Sequence, residues 1–170
     1  MRIVFIRPCC IGDVVLATGA LTALRQHYPH AHITWAVSGW AAQVIAEHPA
    51  LDATLNVGSR DLPVRHPIDF GRFVLQLRRG QFDLAVSLVR SRLMTLAVQL
   101  SGIPRHAGIN SAGRGAGYTI PVFIDPLARR HEAKLYLDVI AALGANVETS
   151  LPTMPVSETS KATIIERLKQ

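Results

Sequence analysis

No stretch of this sequence approaches the ~20 consecutive apolar residues that a membrane-spanning helix needs, although its mean hydropathy is positive at +0.24. The opening Met1-Arg2-Ile3-Val4-Phe5-Ile6-Arg7 carries too short an apolar run for a secretory signal. Cysteine is nearly absent. The only two, Cys9 and Cys10, are adjacent, and sequence neighbours rarely reach the geometry of a mutual disulfide. A disulfide-stapled scaffold is excluded, no cysteine pairs are available for a zinc site, and a reduced, cytoplasmic protein is the default. Charge is sparse, at 18% of residues, and lysine is rare. There is no three-glycine dinucleotide fingerprint and no Gly-Lys-Ser/Thr phosphate loop. Neither an internal repeat nor a low-complexity tract is visible.

What is present is enough for one ordinary domain. The 170 residues are 49% hydrophobic, which argues for a buried core and against disorder. The formal net charge is +6, and it is unevenly placed. Residues 60–130 hold 11 arginines against Asp61, Asp69, Asp83 and Asp125, a net of +7, whereas the rest of the chain sums to −1. Such asymmetry points to an anionic partner: nucleic acid, an anionic membrane surface or a phosphorylated substrate.

The apolar pattern alternates strand and helix. Strands are expected at Arg2–Arg7, His32–Val37, Thr54–Val57, Asp83–Leu88 and Arg105–Ile109. Helices are expected from Val14 to about His27, Gly39 to about His48, Ile68 to Arg79, Ser91 to Leu100, His131 to Leu143 and Glu158 to about Lys169. Gly80, Gly102 and Gly144 are placed as helix stops. Residues 110–121, with Gly113, Gly115 and Gly117, read as a loop. This order predicts an α/β fold, a Rossmann-like, doubly wound parallel sheet. Ligands of such sheets bind beyond the carboxyl ends of the strands. That rule selects the Pro8–Asp13 loop, the turn after Leu88 and the loop after Ile109. Pro152 and Pro155 open a linker-like tail, so residues 1–150 are expected to form the domain and 151–170 a linker leading to a further region.

Candidate functional residues gather at those strand ends. Asp13 sits where the first helix begins, where the helix dipole favours a carboxylate and a carboxylate could take a proton from a hydroxyl; the competing reading is a helix N-cap. Cys9 and Cys10, beside a helix start that favours a thiolate, could be nucleophilic or redox residues, but with no partner His or resolving Cys at a diagnostic spacing they read as small residues that let backbone or ligand approach. Arg90-Ser91-Arg92 supplies two guanidinium groups and a hydroxyl suited to phosphate or carboxylate, against a solvated helix start. His131, followed by Glu132, could orient a substrate or simply stand at a helix entry. Trp35 and Trp40 read as core packing. His30 and His32 are expected to face solvent, and no histidine spacing suits a metal.

The segment Arg7 to Asp13 with Val14-Val15-Leu16-Ala17-Thr18 resembles the opening of glycosyltransferase family nine, the lipopolysaccharide heptosyltransferases. The resemblance continues through Leu24–Pro29, the Trp35 strand, Phe82–Leu88, Arg90-Ser91-Arg92, Gly102–Arg105, Gly108, Ser111–Arg114, His131-Glu132 and Leu143-Gly144. It spans about residues 1–145, and its Arg-Ser and His-Glu segments are most like the heptosyltransferase II branch. It implies the N-terminal, acceptor-binding domain of a two-domain GT-B enzyme whose donor domain is absent here, so that this fragment alone is expected to be inactive. It further implies inverting transfer of heptose from ADP-heptose to the anionic lipopolysaccharide inner core, with Asp13 as base, no metal and no cofactor. Cys10, Gly12, Arg60, Arg90, Ser91, Arg92, Arg114 and His131 are the implied substrate-binding positions. A cytoplasmic protein, peripheral on the inner membrane, follows from such a glycolipid acceptor. Departures from the family pattern are Cys9-Cys10, where small residues such as Ser-Ser are common, Val89 and Leu135. The alternative is a non-catalytic Rossmann-like module that binds an anionic sugar or nucleotide. Nucleic-acid binding is not supported, since no helix-turn-helix or RNA-recognition signature accompanies the charge.

Overall fold

The computed structural model describes residues 1–58, 63–125, 127, 129–148, 150–156 and 158–168. Strand β1 (Arg2–Ile6) places Ile3 and Phe5 in one apolar cluster and Val4 and Ile6 in another, as the two-residue period of a strand buried on both faces requires. It pairs in parallel with β2 (His32–Val37) on one side and β4 (Leu84–Ser87) on the other. Outside these lie β3 (Ala53–Asn56), β5 (Arg105–Ser111) and β6 (Ile120–Ile124). The sheet is six-stranded, parallel throughout, in the order β3-β2-β1-β4-β5-β6. That is the doubly wound Rossmann order, and its direction reverses between β1 and β4.

Helices cover both faces. Helix α1 (Ile11–His27) and α5 (Glu132–Ala141) pack with Ile3, Phe5, Leu21, Leu24, Tyr136 and Ile140 in the larger cluster. Helices α3 (Pro67–Arg79) and α4 (Arg92–Leu100) cover the other face through Phe73, Leu77, Met94 and Val98. Trp35 is fully buried, edge-on to Phe5 with ring centroids 4.7 Å apart, and its Nε1 donates to the Arg7 carbonyl at 3.1 Å. The indole thereby fixes the first backbone turn beyond β1. Arg25 ties the end of α1 to the start of β2, donating to the Ala31 carbonyl at 2.6 Å and pairing with Asp52. The segment after α5 returns across α1: the Thr153 amide donates to Thr18 Oγ1 at 2.8 Å, and the backbone at Leu151 and Pro152 passes 3.1 Å from where a Cβ on Gly19 would lie.

Several expectations need correction. Helix α2 covers only Gly39–Ala42 and gives way to turns, and Trp40 is 45% exposed rather than packed in the core. Residues 110–121 are not one loop: β5 runs on to Ser111, and β6 begins at Ile120. Pro121 is accommodated because, among the described residues, β6 is an edge strand paired with β5, and an edge strand tolerates a residue with no amide to donate. Gly80 caps α3 in an ordinary right-handed conformation; the positive φ falls on Gln81. The glycine is needed for space, because a Cβ there would lie 2.1 Å from the Phe82 ring. The cap of α5 is Ala142, with Gly144 at φ 94° two residues on.

Two histidines make stability depend on pH. His106 Nδ1 accepts the Thr119 amide at 3.0 Å, and His48 Nδ1 accepts the Ala50 amide at 3.2 Å. Burial holds both imidazoles below their ordinary value. Below about pH 6.5 the unfolded chain therefore binds more protons than the folded one, and stability falls as pH falls. The expected result is a Tm that declines from pH 7 to pH 5, with a flatter decline when both histidines are replaced by Gln. A wild-type Tm constant over that interval would overturn the assignment.

Candidate active site

The reversal point of the sheet assembles the candidate residues from four elements. Beyond β1 the chain runs through Arg7, Pro8 and Cys9 into Cys10, the N-cap of α1, which sits at φ 70°. Asp13 is therefore not the N-cap. It lies in the first helical turn, close to the exposed amides, where a carboxylate complements the dipole. Its Oδ2 is paired with the Arg7 guanidinium, and its Oδ1 faces the Tyr136 hydroxyl at 3.4 Å. The Asp13 side chain keeps 28% of its surface exposed, so the carboxylate is held in place and still reachable. Gly12 has nothing within 4 Å of a built Cβ. Open space, not packing, surrounds the helix start.

Tyr136, from the middle of α5, joins the two sides of the site. The Arg7 guanidinium lies over its ring at 5.6 Å from the centroid. Burial pushes its phenol well above the ordinary tyrosine value; the charges of Asp13 and Glu132 add to this, while Arg7 and Arg90 oppose it. The hydroxyl thus stays protonated and donates toward Asp13. Arg7, Tyr136 and Glu132 were not among the predicted site residues. Arg7 carried a signal in its place directly after β1, whereas Tyr136 lies 123 positions from Asp13 and carried none.

On the other side, Arg90 follows β4 and Nη2 meets Glu132 Oε1 at 2.6 Å. Ser91 caps α4, its Oγ accepting the Met94 amide at 3.4 Å. Arg90, Arg114, Ser111, Asp125, Arg130 and Glu132 line a cleft of about 190 Å³. Arg130 is engaged by Asp138 at 2.6 Å. Arg114 makes no ion pair among the described residues, and Thr95 Oγ1 donates to its carbonyl at 2.8 Å, fixing its backbone. His131 caps α5 through Nδ1, accepting the Ala133 amide at 3.3 Å, and is exposed beside the cleft. Arg92 begins α4 and points to solvent, outside the cleft lining. Cys9 is buried and Cys10 exposed, with their sulfurs 2.8 Å apart. Arg60 lies outside the described residues. No cluster of three metal-ligating side chains occurs among the described residues.

A six-stranded parallel sheet of this order, with its polar residues at the reversal point, defines a Rossmann-like domain of the kind paired in GT-B glycosyltransferases. The chain is similar to heptosyltransferases of glycosyltransferase family 9. It is 29% identical over 98 residues to lipooligosaccharide heptosyltransferase 2 of Haemophilus ducreyi, a match covering 54% of this chain and 26% of that protein. It superposes on E. coli ADP-heptose lipopolysaccharide heptosyltransferase II with a TM-score of 0.77 and 20% identity, over 99% of this chain and 50% of that one. The glycosyl transferase family 9 structure from Veillonella parvula gives 0.79 and 22%, over 99% and 48%. The chain thus spans about half the length of the solved proteins it resembles. No family model matches it.

Proposed function

We propose that this chain is the acceptor-binding half of an inverting glycosyltransferase, which moves heptose from ADP-heptose to the inner core of lipopolysaccharide. The observation that carries the reading is Asp13: a reachable carboxylate at the sheet's reversal point, oriented by Arg7 on one oxygen and Tyr136 on the other. In this reading Asp13 takes the proton of the acceptor hydroxyl as that oxygen attacks C1 of the heptose. The new C1–O bond forms as the bond from C1 to the diphosphate breaks. ADP leaves with the electron pair, and the anomeric centre inverts. The open surface at Gly12 and Cys10 gives the acceptor access to the carboxylate, and the second domain this reading implies supplies the donor site. Residues 151–153 dock along α1. A cytoplasmic enzyme, peripheral on the inner membrane, fits a lipid-anchored acceptor; among the described residues no helix is long and apolar enough to cross a membrane.

The anionic sugar acids and phosphates of such an acceptor are assigned to the cleft of Arg90 and Arg114, with Ser91, Arg92 and His131 at its margin and Arg60 a sequence-based candidate. Arg114 is the sharper test, since Arg90 is already neutralised by Glu132. A charge-assisted contact contributes about 1.5–3 kcal/mol, or roughly 10- to 100-fold in affinity. In the two-domain protein, Arg114→Ala is expected to raise the acceptor KM by on the order of tenfold or more while kcat changes less than threefold. An unchanged KM would remove Arg114 from the acceptor site.

A further inference from the structure

Helices α3 and α4 expose large aliphatic side chains interleaved with arginines on their outer face. Their buried sides, Phe73, Leu77, Met94 and Val98, rest on the sheet, yet their solvent sides are also apolar. On α3 the exposed stripe at helical spacing is Ile68, Arg72, Leu75 and Arg79; on α4 it is Leu93, Leu96 and Leu100, with Arg92 at the first turn. Ile68 is 66% exposed, Leu75 50%, Leu93 46%, Leu96 42% and Leu100 49%. The two helices pack side by side, and Arg78 Nη2 on α3 reaches the Leu100 carbonyl on α4 at 3.4 Å. No acidic residue is fully exposed on either helix; Asp69, the one acid present, is partly covered and pairs with Arg72 at 3.7 Å. By contrast α5 shows the mixed-sign outer face of an ordinary surface helix, with Glu132, Lys134 and Asp138.

We propose that the α3–α4 face is a docking surface for an anionic phospholipid bilayer. Aliphatic side chains standing clear of the protein, interleaved with arginines whose stems are apolar and whose heads reach outward, match the boundary between acyl chains and anionic headgroups. A second copy of the chain is disfavoured, because a two-fold contact would press Arg72, Arg79 and Arg92 against their own counterparts. Nucleic acid is disfavoured, because large aliphatic side chains stand between the arginines and neither helix exposes an aromatic to stack on a base. The face also accounts for part of the basic excess of residues 60–130 that the cleft does not use. Helix α4 starts at Arg92, two residues after Arg90 of the cleft, so the docked face sets the cleft beside the lipid surface. That purpose rests on the glycolipid reading of the acceptor, whereas the docking itself stands on the face alone.

The test is co-sedimentation of the protein with phosphatidylcholine vesicles containing 30 or 0 mol% phosphatidylglycerol (about these fractions suffice to set the surface potential) and no glycolipid. The expected result is partition onto the anionic vesicles, weak partition onto the neutral ones, and a loss of several-fold or more in high salt. Leu93→Ser with Leu96→Ser and Leu100→Ser, and separately Arg72→Glu with Arg79→Glu, are each expected to reduce partition by on the order of tenfold with circular dichroism unchanged. No partition by the wild-type protein, partition indifferent to both sets, or a stable dimer split by these substitutions would overturn the proposal. If partition fails while the two-domain protein still transfers to a water-soluble acceptor, the docking face is wrong and the transferase reading stands. If partition holds without transfer, the reverse is true.

Discussion

In the proposed two-domain transferase, Asp13→Asn is expected to lower kcat for heptosyl transfer by on the order of 10³-fold, within the 10²- to 10⁴-fold that general bases contribute. Asn has nearly the same shape and keeps an oxygen for the Tyr136 hydroxyl, so the acceptor should still bind and its KM should move only a few-fold. What Asn cannot do is accept and hold a proton. The substitution also strips the Arg7 guanidinium of its carboxylate partner. Arg7 is 16% exposed, and an under-compensated charge there costs on the order of 1–3 kcal/mol. A lowered Tm is therefore part of the expected outcome, and the rate must be read on protein shown to be folded at the assay temperature. The split between kcat and KM separates a catalytic loss from a structural one. If folded Asp13→Asn retained kcat within a few-fold of wild type, the base would have to lie elsewhere, and the pairing of Arg7 with Asp13 would be structural.

How much of this arrangement was legible in the sequence depended on whether the determining forces were local. Strand β1 was legible because both faces are buried and the run Ile3–Ile6 is uninterrupted. Helices α1, α3, α4 and α5 were legible because their apolar spacing matches the helical repeat, although α1 begins at Ile11, three residues before the first periodic residue. Helix α2 was over-read, since Ala41 and Ile45 are buried at helical spacing but the chain between them runs in turns. Among the candidate residues, Asp13, Arg90, Ser91 and His131 could be located at strand ends because each stands at or near the boundary of an element, and the order of the elements determines which boundaries meet. The Arg7–Asp13–Tyr136 group could not be read in full. Nothing in the sequence marks Tyr136 within the helix, and only the packing of α5 against α1 brings its hydroxyl to the carboxylate.

The glycines of residues 112–119 carry the second large expected effect, and they show what composition alone misses. Three glycines in five residues read as a loop. The structure gives them different jobs. This segment carries the chain from β5 to β6, two neighbouring parallel strands, in only eight residues (112–119), where such crossovers ordinarily take a dozen or more. The backbone must therefore fold tightly over the end of β5. At Gly115 a Cβ would lie 2.3 Å from the Ile109 carbonyl oxygen and 2.9 Å from Asn110 Cα, all backbone atoms of a paired strand that cannot swing aside. The same residue donates its amide to Asn110 Oδ1 at 3.1 Å, and its carbonyl accepts the Tyr118 amide at 3.1 Å. Gly113 differs: nothing lies within 4 Å of its Cβ position, and its constraint is a φ of 73°. Gly115→Ala is accordingly expected to cost about 3 kcal/mol or more of stability, the upper end for overpacking. Gly113→Ala should cost only about 1 kcal/mol, the penalty for a left-handed alanine. Denaturant titration of the two variants gives both numbers. Because Arg114 sits between them, Gly115→Ala should also displace its guanidinium from the cleft and weaken the acceptor at a temperature where the variant is still folded. Equal, small losses for both variants would mean that the crossover is looser than the packing around Gly115 requires.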